Sequence, residues 1–265
     1  MPAPAEMTST QLMRLVGTPD APAIVDARTD EDFDDDPHLV PGAFRHPWDD
    51  AQGLAARLAG ARPGGTRAVV YCQRGRKLSQ GLAALLRSGG IAAEVLEGGQ
   101  FAWRDAGLPA VRAAALPASG RWATRHRPKV DRIACPWLVR RFADTSARFL
   151  FVPPADVALV AERFDAVPFD AEGAALSDGP GRCTFDALLD HLGLDHPPLA
   201  RMASVIRAAD GAGGEAPEAA GLLAVLLGLS RMHRDDLRQL EDGMIVMDAL
   251  YRWARDATAE THGHA

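Results

Sequence analysis

The sequence predicts an α/β fold in its first part, a parallel sheet flanked by helices, followed by a mainly helical second part. Three observations carry this. Strand and helix patterns alternate along the first part, as they do when helices cover both faces of a parallel sheet. The stretch 113–124 is rich in Ala, Pro, Gly and Ser, the texture of a linker. Beyond it, apolar residues recur mostly at helical spacing. The expected organisation is a domain over 1–112, a linker over 113–124, a mostly α-helical domain over 125–257 and a disordered tail over 258–265.

Each element has its own signal. "APAIVDAR" (21–28) reads as a short buried strand ending in charge, and "VPGAFRHP" (40–47) as a Pro-Gly turn and a brief strand. "RAVVYC" (67–72) is the strongest strand pattern, and "AAEVLEGG" (92–99) is the next. Between them, "SQGLAALLRSGG" (79–90) predicts a helix with Ser79 as its N-cap and glycines at its end. In the second part "RFLFVPP" (148–154) is the one clear strand, and "GAGG" (211–214) is a flexible loop. "EAAGLLAVLLGL" (218–229) is apolar nearly all round, which predicts a buried helix. Leu237, Leu240, Met244, Met247, Leu250 and Tyr251 predict one long amphipathic helix over 235–256.

Composition narrows the functional classes. The chain has 265 residues, 47% hydrophobic and 24% charged, enough for two domains with their own cores. Its three cysteines, Cys72, Cys135 and Cys183, are too few and odd in number for a disulfide framework, which points to a reducing compartment. No secretory signal pattern and no apolar run near the ~20 residues of a membrane span is visible, so the expectation is a soluble cytoplasmic protein. A net charge of -6 gives no general reason to expect nucleic acid as a partner. The run 121–141 is basic, with Asp131 its single acid, and reads as a solvated face or domain-interface strip before a DNA-binding surface. Its arginines could equally bind a small dianion.

The segment "VVYCQRGRKLSQG" (69–81) places a cysteine at the end of a strand, just before a helix. A helix N-terminus and converging backbone N–H groups both favour a thiolate and an anionic substrate. Gln73, Arg74, Gly75, Arg76, Lys77, Leu78 and Ser79 form the expected anion-binding loop, with three cations adding charge. Together with "IVDAR", "VPGA", and "LEGGQFAWRDAGLP", this segment resembles a single rhodanese domain over 21–109. The resemblance implies a parallel-sheet fold, with Cys72 as a nucleophile that takes sulfur from a donor such as thiosulfate, carries it as a persulfide and passes it to a thiol or other thiophilic acceptor. It requires no cofactor. Asp26 and Arg28 match the family's supporting D-x-R. The family loop reads C-x-x-G-x-R-S; here Ser79 is seven residues after Cys72, which suggests one extra loop residue and room for a bulkier oxyanion.

"RPKVDRIACPWLVRRF" (127–142) opens a second resemblance. With "FLFVPPADV", "VPFD", "CTFDALL", "PEAAGLLAVLLGLSR" and "YRWAR" in order, residues 125–255 resemble the C-terminal chromate-resistance domain of chromate-operon B proteins. This implies a link to chromate sensing or tolerance. A rhodanese domain stands where many of those proteins carry a domain associated with transcriptional regulation, which argues against a DNA-binding repressor.

Independently of resemblance, Asp131 and Cys135 lie four residues apart, on one face of a helix. Asp170, Cys183, Asp186 and Asp210 lie near apolar segments where a charge needs a partner. Asp131, Cys135, Asp170, Cys183 and Asp210 are therefore candidate ligands for a metal ion, or part of a chromate site. The plainer reading makes the cysteines core residues and the aspartates caps or ion-pair partners; the chain has no CxxC, HxxxH or HExxH. His191, His196 and His233 are expected at the surface or in loops, and a homodimer is compatible with the sequence. The functional expectations are a sulfurtransferase serving chromate resistance or oxyanion stress, a chromate- or metal-sensing regulatory protein, or a thiol-dependent oxyanion reductase.

Overall fold

The computed structural model describes residues 5–60 and 67–260. They fall into two compact units: residues up to Ala114 with Arg141–Thr145, and Ala115–Arg140 with the chain from Ser146 on.

The first unit runs β1 (Glu6–Met7), α1 (Ser9–Met13), β2 (Ala23–Asp26), α2 (Asp30–Asp34), β3 (His38–Leu39), β4 (Ala43–Arg45), α3 (Ala51–Ala59), β5 (Ala68–Tyr71), α4 (Lys77–Ser88), β6 (Ala93–Leu96), α5 (Gly99–Asp105) and β7 (Val111–Arg112). Five strands pair in parallel in the order β1-β6-β5-β2-β4, while β3 and β7 form a separate antiparallel pair. Every residue of β5 is buried, as expected of a central strand covered on both faces. Val25, Val70 and Val95 on neighbouring strands pack with Leu54 and Leu58 of α3 and Leu82 and Leu86 of α4. Each such leucine contributes about 1.5–3 kcal/mol by leaving water.

The structure corrects the helix after the cysteine. It starts at Lys77, not Ser79, and its N-cap position is Arg76. Ser79, Leu82, Ala83 and Leu86 are its buried face, the spacing of a helix packed on a sheet. Ser79 is thus inside the first turn rather than capping it, and only residues 73–76 separate Cys72 from the helix. The seven-residue spacing from Cys72 to Ser79 is unchanged by this, with Ser79 on the helix rather than before it.

The second unit runs β8 (Arg121–Arg125), α6 (Val130–Leu138), β9 (Arg148–Val152), α7 (Val157–Phe164), β10 (Val167–Pro168), α8 (Thr184–Leu192), α9 (Pro197–Asp210), α10 (Ala219–Met232) and α11 (Asp236–Arg252). It is mainly helical, but β9 is not its only strand: β10, β8 and β9 form a parallel three-stranded sheet. Most of β8 lies inside the expected linker 113–124, which also begins with a single 3-10 turn over Ala113–Ala115. Trp122, Ala123 and Thr124 are buried, so tertiary packing overrides the loop-like composition around them. α6 contains Pro136 and passes into a π-helical turn over Val139–Ala143.

Two helix expectations change in detail. α10 buries Ala219, Leu222, Leu226 and Ser230 but leaves Val225 and Met232 49% and 71% exposed, so it is not buried all round. α11 is the long amphipathic helix foreseen, with Leu240, Met244, Met247 and Tyr251 facing inward, yet Leu237 is exposed. Of the expected disordered tail, residues 261–265 lie outside the described residues, while the Glu260 N–H donates to the Ala257 carbonyl at 3.0 Å.

Candidate active site

Cys72 follows the last residue of β5, at the carboxyl edge of the central strand, where open α/β sheets present their ligands. Its side chain is only 5% exposed. Burial alone pushes a thiol's pKa up. Here the opposing contributions win: the Ser79 hydroxyl and the backbone N–H groups of Ser79, Arg76 and Arg74 hydrogen-bond to the sulfur and hold the thiol below its ordinary value. The Ser79 Oγ is 3.3 Å from Cys72 Sγ and 3.2 Å from the Arg76 carbonyl. Its one hydrogen can serve either acceptor, and a charged thiolate draws it more strongly than a carbonyl.

The side-chain cations are not among the leading causes of this shift. Arg74, Arg76 and Lys77 are exposed, and Arg74 stacks over the Phe101 ring, 5.1 Å from its centroid. The Ser79 hydroxyl and the loop's backbone N–H groups therefore tune the sulfur, where the sequence pointed equally to charge.

The loop keeps its shape by leaning on the turn after β6. Gln100 N–H donates to the Cys72 carbonyl at 3.0 Å and Phe101 N–H to the Gln73 carbonyl at 3.1 Å. This approach requires glycine on both sides. Gly75 has φ +63°, and a Cβ there would sit 2.5 Å from the Leu96 carbonyl oxygen. Gly99 has φ +61°, and its Cβ would sit 2.1 Å from the Cys72 carbonyl oxygen. The second glycine of "LEGGQ" is thus a support of the cysteine loop, a role that the sequence reading left unassigned.

Asp26 and Arg28 form a fully buried pair at 2.7 Å. The Arg28 guanidinium also donates to the carbonyls of Asp36 at 2.8 Å and His38 at 2.7 Å. The pair ties the end of β2 to β3 and leaves no free charge for a substrate. Leu78 and Lys77, on the first turn of α4, line a cavity together with Trp48.

In the second unit the five candidate ligands do come into electrostatic range of one another, but they do not form a ligand set. Among the described residues no three His, Cys, Asp or Glu side chains are placed to hold a metal ion. Asp131 accepts the Thr184 N–H at 2.6 Å, at the start of α8. Asp170 is paired with Arg125 at 2.9 Å and Arg132 at 3.0 Å. Cys183 is the N-cap of α8, with its N–H on the Asp186 carboxylate at 3.0 Å, and Asp186 is held by Arg207. Burial, reinforced by Asp210 and Asp170, pushes the Asp131 carboxyl up to about 7. Burial likewise raises Asp170 and Asp210, and drives the Cys135 and Cys183 thiols up.

The histidines are less exposed than expected. His191 Nε2 lies 3.0 Å from the Ala115 carbonyl, His196 Nε2 3.2 Å from the Tyr251 hydroxyl, and His233 pairs with Asp242 at 2.7 Å. Burial, with Arg255 and Arg201 nearby, lowers His196 to about 4.

Comparison with known proteins agrees with this division. The family model of the Rhodanese-like domain matches residues 8–106, and that of the ChrB C-terminal domain matches residues 122–254. Protein ChrB of Cupriavidus metallidurans is 39% identical over 132 residues, which make up 49% of this chain and 40% of that protein. The chain therefore matches less than half the length of that curated relative. Among solved structures, SSP1007 of Staphylococcus saprophyticus is 24% identical over 39% of this chain and 96% of its own, with a TM-score of 0.33. A rhodanese-like domain protein from Staphylococcus aureus is 26% identical over 37% of this chain and 89% of its own, with a TM-score of 0.31. No described helix is long and apolar enough to cross a membrane.

Proposed function

Since the chain belongs to the ChrB C-terminal domain family and carries a rhodanese-like domain before that region, we propose that it is a sulfurtransferase serving a chromate or oxyanion stress response. Cys72 is the nucleophile. The observation that carries this reading is the seat of its sulfur: a buried thiol held low by the Ser79 hydroxyl and three backbone N–H groups at the carboxyl edge of the sheet. Such a seat stabilises a thiolate before reaction and a persulfide anion after it.

The donor half-reaction follows. The Cys72 thiolate attacks the outer sulfur of thiosulfate, a sulfur–sulfur bond forms to Cys72, and sulfite leaves with the electron pair of the broken bond. No oxidant is consumed. The loop N–H groups that held the thiolate then hold the terminal sulfur's charge. A thiol or other thiophile takes that sulfur and restores the thiolate. All three cysteines are free, consistent with work in the reducing cytoplasm. The link to chromate rests on family membership and on the resemblance of residues 125–255 to chromate-resistance domains.

The assay that tests the proposal is thiocyanate formation from thiosulfate and cyanide. Wild-type protein should turn over and Cys72→Ser should lose at least ~100-fold, as expected when a covalent nucleophile is removed. Equal rates in both proteins would falsify it.

A further inference from the structure

From Ala219 to Leu229, α10 carries no polar side chain, yet only Ala219, Leu222 and Leu226 of that stretch are buried. Ala220, Gly221, Ala224, Val225, Leu227 and Gly228 face solvent. A helix on the surface of a domain ordinarily turns polar residues outward. Here Val225 and Leu227 are 49% and 40% exposed, and Met232 at the helix end is 71% exposed. Gly221 and Gly228 lie two turns apart on this outer face. A glycine inside a helix is less favourable than alanine. The fold itself asks for neither, since a Cβ at each would have no atom within 4 Å. In α11, by contrast, a Cβ on Gly243 would meet the Ile133 side chain at 2.6 Å. The bare glycines of α10 leave room for another backbone to come close.

The charges at the two ends of α10 select the occupant and its direction. Glu215 and Glu218 precede the first residue of the helix, while Arg231 lies in its last turn and Arg234 just beyond it. We propose that the chain forms an isologous dimer in which α10 packs antiparallel on α10 of a second copy, about a two-fold axis passing between Ala224 and Val225. That axis sets Glu218 level with the partner's Arg231, and the acidic end of each helix beside the basic end of the other. It sets Gly221 level with the partner's Gly228, so the backbones approach where neither copy has a side chain. A parallel copy would bring acid to acid and cation to cation, which is unfavourable. Met232 arrives level with the partner's Pro217, where Ala216, Pro217, Ala220 and Leu223 line a depression of about 550 Å³. The helix is about 21 Å long, so the contact is short and the association falls near micromolar concentrations. The dimer rests on the second unit alone and stands apart from the chemistry of Cys72.

Sedimentation velocity on the full chain, over a range of about 1 to about 200 µM, tests this. Wild-type protein should pass from monomer toward dimer as concentration rises. Val225→Glu, which places two like charges beside the axis, should weaken association at least ~100-fold. Gly221→Ala with Gly228→Ala should weaken it about 10-fold, because added methyl groups overpack a close contact on both copies. The same pair should raise the Tm of the dilute monomer, since alanine is the better helix former and has open space there. A firmer fold with weaker association separates an interface from a folding defect. Glu218→Arg and Arg231→Glu should each weaken the dimer about 5-fold, and the two together should restore it, as an antiparallel pair requires. A monomer at every concentration overturns the proposal; flotation of that monomer with phosphatidylcholine–phosphatidylglycerol vesicles would give the face to a lipid surface instead. A dimer untouched by both Val225→Glu and the glycine pair overturns it as well. Charge swaps whose effects add rather than cancel overturn the antiparallel arrangement.

Discussion

A buried thiol ordinarily holds its proton more tightly, yet Cys72 is the one cysteine of the three held below the ordinary value. The difference is local. Cys135 and Cys183 sit near carboxylates that oppose a second negative charge, whereas Cys72 faces donors. Ser79 supplies the largest of the favourable contributions. Ser79→Ala should therefore raise the Cys72 pKa by about one unit, the equivalent of one hydrogen bond to a charged group. The rate of iodoacetamide alkylation against pH reads this directly. In native protein the same reagent should modify Cys72 and spare the two buried, protonated cysteines. An unchanged alkylation profile in Ser79→Ala would remove the hydroxyl from the account.

At the scale of elements, the cysteine loop depends on the turn between β6 and α5. Gly99→Ala would force a Cβ into the Cys72 carbonyl and a positive φ onto a residue that disfavours it. It should cost at least ~2 kcal/mol, seen in urea unfolding, or displace the loop and lose transfer activity in a folded protein. Gly107, also at positive φ but with open space around it, is the control, since alanine there meets nothing. Much of this architecture is legible in the sequence. β5 and the long α11 announce themselves through an unbroken apolar run and a sustained helical period. What escapes is set by tertiary packing. β8 lies amid linker-like composition with no alternating apolar pattern of its own, and its partners β9 and β10 make it a strand. Ser79 looks like a helix cap because serine usually is one, but its hydroxyl serves the sulfur instead. The cavity beside Trp48 joins residues from α2, the β4–α3 segment and α4, which no local pattern connects.

For the molecule as a whole, a buried acid of the second unit, Asp131, sets a pH dependence. Asp131 titrates near 7 when folded, against about 4 in an unfolded chain. A raised carboxyl binds its proton more tightly when folded. Its stabilising effect is therefore complete below about pH 4 and is lost as pH rises through about 7. Asp170 and Asp210 are shifted in the same direction. Asp131→Asn, which keeps an acceptor for the Thr184 N–H, should flatten the fall in Tm between about pH 5 and about pH 8, with little change at the acid end. A parallel curve in calorimetry would contradict the assignment. The two units thus keep different chemistry: a buried thiol held low at the carboxyl edge of the sheet, and a carboxylate cluster beside thiols held high. Persulfide formation on Cys72 is the chemistry proposed for the first unit. Its most direct test is intact-protein mass spectrometry after brief incubation with thiosulfate and desalting. The prediction is a single gain of about 32 Da, one sulfur atom, that maps to Cys72, disappears with cyanide and is absent from Cys72→Ser. An unmodified mass, or the same gain in Cys72→Ser, would contradict it.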